Sequence, residues 1–314
     1  MGTSTGDKLI DVVIVNWNSG MHLAACLRAL AAPSERHRIR GVTIVDNGST
    51  DGSLDFQLPP DLPVFIDRAG SNLGFARGSN RAARQGTAPY ILLLNPDASI
   101  EPGALDAVIA SFNRSDAIGI VGLRLCDQAG NTLRTCSRFP TARAFIVRAL
   151  GLNLLPGLKH LGPFMRDWAH TESRIVDQVM GACCAVPRAL FEDIGGFDER
   201  FFLYYEDVDL AKRVQKINRI SWFETAGAAR HIGGGSSAAI PGRRLFYILS
   251  SRFAYARKHF SLLGYLATLF VTLLIEPWSR LAAEVVRRGP VKMFVVLSGY
   301  AILFRTLAGA KSRG

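Results

Sequence analysis

Across its first 125 residues the chain switches repeatedly between two hydrophobic periods, and this alternation limits its fold more than any other feature. Short runs rich in β-branched residues fall at 9–15 (LIDVVIV), 42–46 (VTIVD), 64–68 (VFIDR), 90–95 (YILLLN) and 118–122 (IGIVG). Residues 20–31, 74–86 and 102–113 between them carry helical patterns. Strands alternating with helices predict an α/β architecture, a mostly parallel central sheet flanked by helices on both faces. In such sheets ligands bind beyond the carboxyl ends of the strands. The polar residues just past those ends are Asn16, Asp46, Asn72 and Asp97, each followed by turn chemistry, so a binding crevice is expected there.

The next stretch, 123–176, is less regular. CDQAGNTL (126–133) reads as a hairpin and LLPGLKHLGP (154–163) as a loop rich in Gly and Pro, an acceptor-side region. After it come a buried strand in VMGACCAV (179–186), a helix from Pro187 to Asp193, a helix over 204–217, a strand in RISWFE (219–224) and a helix from Arg243 to Lys258. Five scattered cysteines with no CxxC pair suggest neither a disulfide framework nor a zinc site, and fit a reducing cytoplasm. The N-terminal stretch has no apolar run long enough for a signal peptide.

Charge divides the chain. The net charge is +11, but residues 1–240 hold 25 basic and 24 acidic side chains, while residues 241–314 hold 12 Lys and Arg against Glu276 and Glu284 alone. Two uncharged runs, 259–275 (His259 aside) and 293–304, interrupt that basic tail. At 17 and 12 residues they fall short of the roughly 20 that a membrane span needs. Flanked by Arg252, Arg257, Lys258, Arg280 and Lys292, with Tyr265 and Trp278 near the edges, they suit helices lying in or dipping into an anionic leaflet. A buried helical hairpin would share the pattern. A nucleic-acid groove would not, because the positive charge is interleaved with apolar runs. The expected division is therefore 1–240 as a catalytic domain (1–125 and 126–240 as its halves) and 241–314 as a membrane-association region.

Several short stretches carry candidate chemistry, each with a plain alternative. VDNGSTDGS (45–53) ends a strand on Asp46 and turns at once, which suits a base and ribose but also any polar turn. In NLGFARGSN (72–80), Asn72 is a candidate N-cap, and Arg77 sits on the first helical turn, where a cation opposes the macrodipole and so points to a phosphate, or is a plain surface arginine. LLLNPDA (92–98) runs from an apolar strand onto Asp97, a hard ligand for a divalent cation, and His231 in RHIGGGSS is a candidate second ligand. FLYYEDVDLAKRV (202–214) places Glu206, Asp207 and Asp209 beside aromatic residues, where desolvation penalises charge. On a helix 206 and 209 share a face and 207 lies about 100 degrees away, so the three cannot share one role.

Taken together and in this order, VVIVNWNSG (12–20), VDNGSTDGS, NLGFARGSN, LLLNPDA, GGFDERFFLYYEDVDLAKRV (195–214) and HIGGGS (231–236) resemble family 2 of the inverting glycosyltransferases, which have the GT-A fold. Among subfamilies the chain is most similar to bacterial rhamnosyltransferases that build polysaccharides on polyprenyl diphosphate carriers. The resemblance implies that the backbone at Val15 and Asn16, the side chain of Asp46 and the neighbouring Asn72 hold the nucleotide of a dTDP- or UDP-sugar, and that Arg77 approaches the sugar phosphate. It implies that Asp97 is the metal-binding residue of a DxD motif whose first carboxylate is here Asn95, with Mg2+ or Mn2+ as cofactor and His231 as a possible partner. It implies Asp207 as the general base, with Glu206 the second choice; Asp209 would cap the helix or pair with Arg213 at i,i+4. The implied activity is rhamnosyl transfer from dTDP-rhamnose to a polyprenyl-diphosphate-linked saccharide at the cytoplasmic face of a bacterial inner membrane.

Other readings stay open at this point. The donor could be a UDP-hexose or UDP-galactofuranose, and a non-catalytic membrane-associated nucleotide-sugar-binding protein would share most of the motifs. A nucleotidyltransferase would want a Gly-rich stretch with cations near the N-terminus, and VVIVNWNSGMHLAAC has none.

Overall fold

A computed structural model of the protein describes residues 8–152, 165, 167–233, 239–286 and 290–309. The first part of the chain runs β1 (Ile10–Asn16), α1 (His22–Leu30), α2 (Pro33–Arg36), β2 (Ile39–Asp46), β3 (Val64–Arg68), α3 (Phe75–Ala83), β4 (Tyr90–Leu94), β5 (Ala98–Ile100), α4 (Ala104–Phe112) and β6 (Ile118–Cys126). It continues through α5 (Ala142–Ala149), β7 (Arg174–Val176), β8 (Cys183–Pro187), α6 (Arg188–Asp193), α7 (Glu206–Lys216) and β9 (Ile220–His231). Four helices follow, α8 (Pro241–His259), α9 (Leu262–Phe270), α10 (Glu276–Val286) and α11 (Pro290–Leu307), with a π-helical turn over Val271–Ile275 joining α9 to α10.

The strands form one sheet in the order β3-β2-β1-β4-β8-β6-β9-β5, with β7 also on β9. β3, β2, β1 and β4 are parallel, as are β6 and β9, whereas β8 runs antiparallel between β4 and β6. All seven residues of β1 are buried, as a strand covered by helices on both faces requires. Its alternate side chains feed two cores. Ile10, Val12 and Ile14 pack with Leu23 and Leu27 of α1, and Val13 packs on the other face with Leu93, Leu210 and Phe223.

The structure differs from the sequence reading at several places. β8 begins only at Cys183, because Gly181 and Ala182 direct their backbone groups to Asp207 and Asn95 instead of the ladder. β9 extends well beyond residue 224. Strands β5 and β7, three residues each, are too short to show a period. The loop expected at 154–163 lies outside the described residues. In the tail, α9, the π turn and α10 form one continuous helix, Leu262–Val285, of 24 residues and mean hydropathy 1.5, long and apolar enough to cross a membrane. The charged residues that ended the sequence run at 275 do not end the helix, since Glu276 is ion-paired with Arg252 and Arg280.

An acidic residue inside the first strand finds its reason here. Asp11 is buried in β1 and accepts from Arg188 Nη2 at 2.8 Å and from the Ala88 amide at 2.6 Å; Arg188 also donates to the carbonyls of Ala83 and Ala88. Replacing only one partner leaves a buried charge uncompensated. Arg188→Met is expected to lower the unfolding free energy by about 3–5 kcal/mol, read from urea denaturation; a loss below about 1 kcal/mol would show that Asp11 is hydrated.

Candidate active site

Three strand ends build the first half of the crevice. At the end of β1 the Asn16 side chain is fully buried and donates to Asp46 Oδ1 (2.8 Å), Ser49 Oγ (3.1 Å) and Ser53 Oγ (3.0 Å). Asp46, at the end of β2, also accepts from the Ser49 hydroxyl (2.6 Å) and amide (3.2 Å). The turn after β2 is thereby fixed to the turn after β1, and Asp46 is buried within that network. Asn72 is not a helix cap: the N-cap of α3 is Gly74, and the Asn72 side-chain Oδ1 accepts from the Gly74 amide at 2.9 Å and from Asn47 Nδ2 at 3.3 Å. Gly74 has φ +81°, and a Cβ there would stand 2.3 Å from the Phe202 carbonyl oxygen, so only glycine lets the two segments meet. Arg77 is paired with Glu199 at 3.1 Å, which supplies an anion for a cation on that first turn without a phosphate.

The turn after β4 forms the second corner. Ala98 donates to the Asn95 carbonyl, and Asn95 donates to the Ala182 carbonyl at 2.9 Å. β5 pairs with the end of β9, Ala98 opposite His231, which sets His231 Nε2 3.4 Å from Asp97 Oδ1. Burial alone would raise the Asp97 carboxyl, but the hydrogen bond and charge of His231 hold it below its ordinary value. One carboxylate and one imidazole suit a divalent cation that takes its remaining ligands from a diphosphate. Among the described residues no cluster of three or more His, Cys, Asp or Glu forms a complete cage. The cysteines offer no thiolate: all five are free and buried, and burial pushes Cys183 up to about 12.

The carboxylates of α7 face the same rim. Asp207 Oδ2 accepts from the Gly181 amide (3.0 Å) and Gln178 Nε2 (2.9 Å), and Oδ1 from the Val208 amide (2.8 Å). Since Ala182 carries Asn95, the adjacent residues Gly181 and Ala182 tie the base candidate to the Asp97 turn. Burial raises Asp207, against the pull of those donors. Burial raises Glu206 much further, with the Asp207 charge next, and its Oε2 is buried with no hydrogen-bond partner among the described residues. Three donors favour the charged form of Asp207, whereas Glu206 Oε2 has none among the described residues. Asp209 is fully buried and plays a different part, accepting from Arg213 (2.8 Å), Lys258 (2.7 Å) and His259 (2.8 Å).

The turn before α7 is strained and braced. Tyr204 and Tyr205 are both left-handed, φ 70° and 67°, a conformation costing roughly 1–3 kcal/mol each. α8 supplies much of the brace: Ser251 donates to the Leu203 carbonyl (2.8 Å), Tyr247 packs on Phe202 (4.7 Å between ring centres), and Tyr255 packs on Tyr205 (5.7 Å). Neither Gln178 and Gly181 nor this α8 face carries a local sequence signal, because each acts through a contact distant in the chain.

Comparison with known proteins follows this geometry. The profile of glycosyl transferase family 2 matches residues 11–194. The chain is 30% identical over 260 residues to an N-acetylglucosaminyl-diphospho-decaprenol L-rhamnosyltransferase of Mycobacterium tuberculosis, covering 76% of this chain and 80% of that one. It is 26% identical over 261 residues to the rhamnosyltransferase WbbL of Escherichia coli K12, covering 80% and 94%. The fold is also that of the mannosyltransferase PcManGT from Pyrobaculum calidifontis, solved with GDP-Man and Mn2+, at a TM-score of 0.55 and 17% identity over 96% of this chain and 83% of that one. These neighbours share the GT-A fold.

Proposed function

Because this chain belongs to glycosyl transferase family 2, we propose that it is a metal-dependent inverting transferase moving rhamnose from dTDP-rhamnose to a hydroxyl of a polyprenyl-diphosphate-linked saccharide. The observation that carries this reading is Asp207, held by three donors beside the buried Glu206 and joined through Gly181 and Ala182 to the Asp97 corner. The donor and acceptor follow the named relatives from M. tuberculosis and E. coli. The nucleotide is placed against the Val15–Asn16 backbone and Asp46, with Asn72 and Asn95 at the edges of the same crevice and Arg77 towards the phosphates.

The acceptor hydroxyl gives its proton to Asp207 as its oxygen attacks the anomeric carbon; the bond from that carbon to the diphosphate oxygen breaks, and the nucleoside diphosphate leaves from the opposite face. Attack and departure on opposite faces invert the anomeric centre. Asp97 and His231 would hold Mg2+ or Mn2+, whose charge offsets that growing on the departing diphosphate. The test is incubation of the purified protein with dTDP-rhamnose, UDP-hexoses and UDP-galactofuranose against polyprenyl-diphosphate-linked GlcNAc. Rhamnosyl transfer with inversion is expected. Nucleotide-sugar binding with no transfer from any donor would instead indicate a binding protein.

Residues 1–240 are taken as the catalytic domain and 241–314 as the membrane-association region, whose first helix braces the catalytic turn. Leu262, Leu263, Leu266, Phe270 and Trp278 are all at least half exposed along the apolar helix, beside a tail of net charge +10. This face is assigned to the cytoplasmic surface of the inner membrane. Leu266→Glu with Phe270→Glu removes two apolar anchors from exposed positions, and partition onto anionic vesicles is expected to weaken at least about tenfold. Unchanged flotation of the double variant would remove the membrane assignment.

A further inference from the structure

Behind the catalytic turn two guanidinium groups share one carboxylate, and a third stands on the helix packed beside them. Arg252 of α8 is fully buried and donates to Glu276 and, at 3.1 Å, to the Thr272 hydroxyl. Arg280 of α10 donates to the same carboxylate at 2.6 and 2.8 Å. Arg148 of α5 stands one helical turn after Phe145, over whose ring Arg252 lies at 5.0 Å, and no ion pair holds it among the described residues. Its basicity is depressed, first by burial and then by the Arg252 charge, with Arg280 adding to the effect. Arg252 moves the other way: burial is the largest influence on it and lowers its basicity, but Glu276 and Tyr205 together outweigh burial. Glu276 thus compensates Arg252 and Arg280 and leaves Arg148 over. A second shortfall is independent of charge: the Arg252 Nε–H is buried with no acceptor among the described residues. Buried donors without acceptors and a surplus of positive charge both raise the energy of the protein alone, and an oxyanion would relieve both.

Position says which oxyanion. The cluster starts at the π turn in the middle of the exposed apolar helix. Its inner end touches the catalytic turn, since Arg252 reaches the Tyr205 side chain, one residue before Glu206. Arg252 also lies over the Phe145 ring, 5.0 Å from its centre. Arg148 and Arg280 are only partly buried, so the cluster opens on their side. A lipid lying along the apolar helix would bring its phosphate to the arginines and the group beyond that phosphate to Asp207.

We propose that Arg148, Arg252 and Arg280 form the binding site for the diphosphate of the lipid-linked acceptor. Forked guanidinium donors match phosphate oxygens in pairs, which an ammonium cannot do. The proposal rests on the polyprenyl-diphosphate acceptor assigned above and adds the residues that recognise it.

Arg148→Gln is the informative variant, because it leaves Glu276 paired with Arg252 and Arg280. Transfer is measured in zwitterionic vesicles to polyprenyl-diphosphate-linked GlcNAc and to an alkyl glycoside of GlcNAc that lacks the diphosphate. The wild-type preference in kcat/KM for the first acceptor is expected to fall about 10- to 100-fold, the loss of one charge-assisted contact, with the change in KM. Arg148→Lys should restore part of it. Equal preference in wild type and Arg148→Gln would overturn the site. So would a variant that keeps its preference but binds anionic phospholipid vesicles less well, since the cluster would then serve bulk headgroups. Binding of polyprenyl diphosphate itself, measured without donor, separates the two claims. Tight binding to wild type and weaker binding to Arg148→Gln with no transfer to any acceptor would keep the site and defeat the transferase reading, while equal binding to both proteins would defeat the site.

Discussion

Asp207→Asn is expected to reduce turnover by about 100-fold to 10,000-fold while leaving donor affinity nearly unchanged. The substitution keeps the size of the side chain, and the new amide oxygen can still accept from Gly181 or Gln178, so α7 should stay in place. The ability to take the acceptor proton is lost. The donor contacts proposed above lie at the ends of β1 and β2, in the other half of the crevice, and should not change. Glu206→Gln is expected to be milder, because Glu206 Oε2 has no hydrogen-bond donor among the described residues to hold it as a carboxylate base. The rising limb of the wild-type profile of kcat against pH should lie above the ordinary carboxylate range, since burial raises Asp207: below that limb the base is protonated, above it the base is free. Transfer rates of the two purified variants decide the matter. Near-normal turnover in Asp207→Asn with collapse in Glu206→Gln would move the base to Glu206.

The second large effect concerns Asp97. Asp97→Ala should lower kcat/KM for the donor by at least about 100-fold, comparable to removing one group that stabilises transition-state charge. Excess chelator should reduce wild-type activity by a similar factor, and Mg2+ or Mn2+ should restore it. With Asn95 in place of a second carboxylate, Asp97 would be the one anionic ligand at this corner among the described residues, so His231→Ala should be the lesser lesion. Full wild-type activity in excess chelator would remove the metal, and a mild Asp97→Ala would remove the residue, from the mechanism.

How much of this was legible in the sequence follows from the distance over which each feature is encoded. The strands that carry Asn16, Asp46 and the Asp97 turn announce themselves locally, through apolar runs ending in turn formers. The pairing of Asp209 with Arg213 is equally local, one helical turn apart. Asn72 was misread as a cap because an Asn before a helix can serve either the helix or the turn preceding it, and here Gly74 takes the cap. The position of Arg77 points in the sequence to a phosphate, whereas the partner the fold gives it is Glu199, 122 residues away and without a local signal. The meeting of Asp97 with His231 depends on β5, whose three residues have no readable period. Gln178 and Gly181 were invisible as partners of Asp207 for a related reason: they sit in a stretch that reads as one buried strand, and only the fold shows where that strand starts.

The brace that α8 lays across the turn at 202–209 also sets an order of events during synthesis. The nucleotide-side strands leave the ribosome first and can pair at once, but the left-handed tyrosines wait for Tyr247, Ser251 and Tyr255, and Asp209 waits for Lys258 and His259. At typical elongation rates those last 50 residues take roughly 2 to 10 s to appear. The next segment to emerge after His259 is the apolar helix. On the function proposed above, the base is therefore completed only as the nascent chain gains its apolar helix, which would couple the onset of transfer to the means of reaching a lipid-linked acceptor.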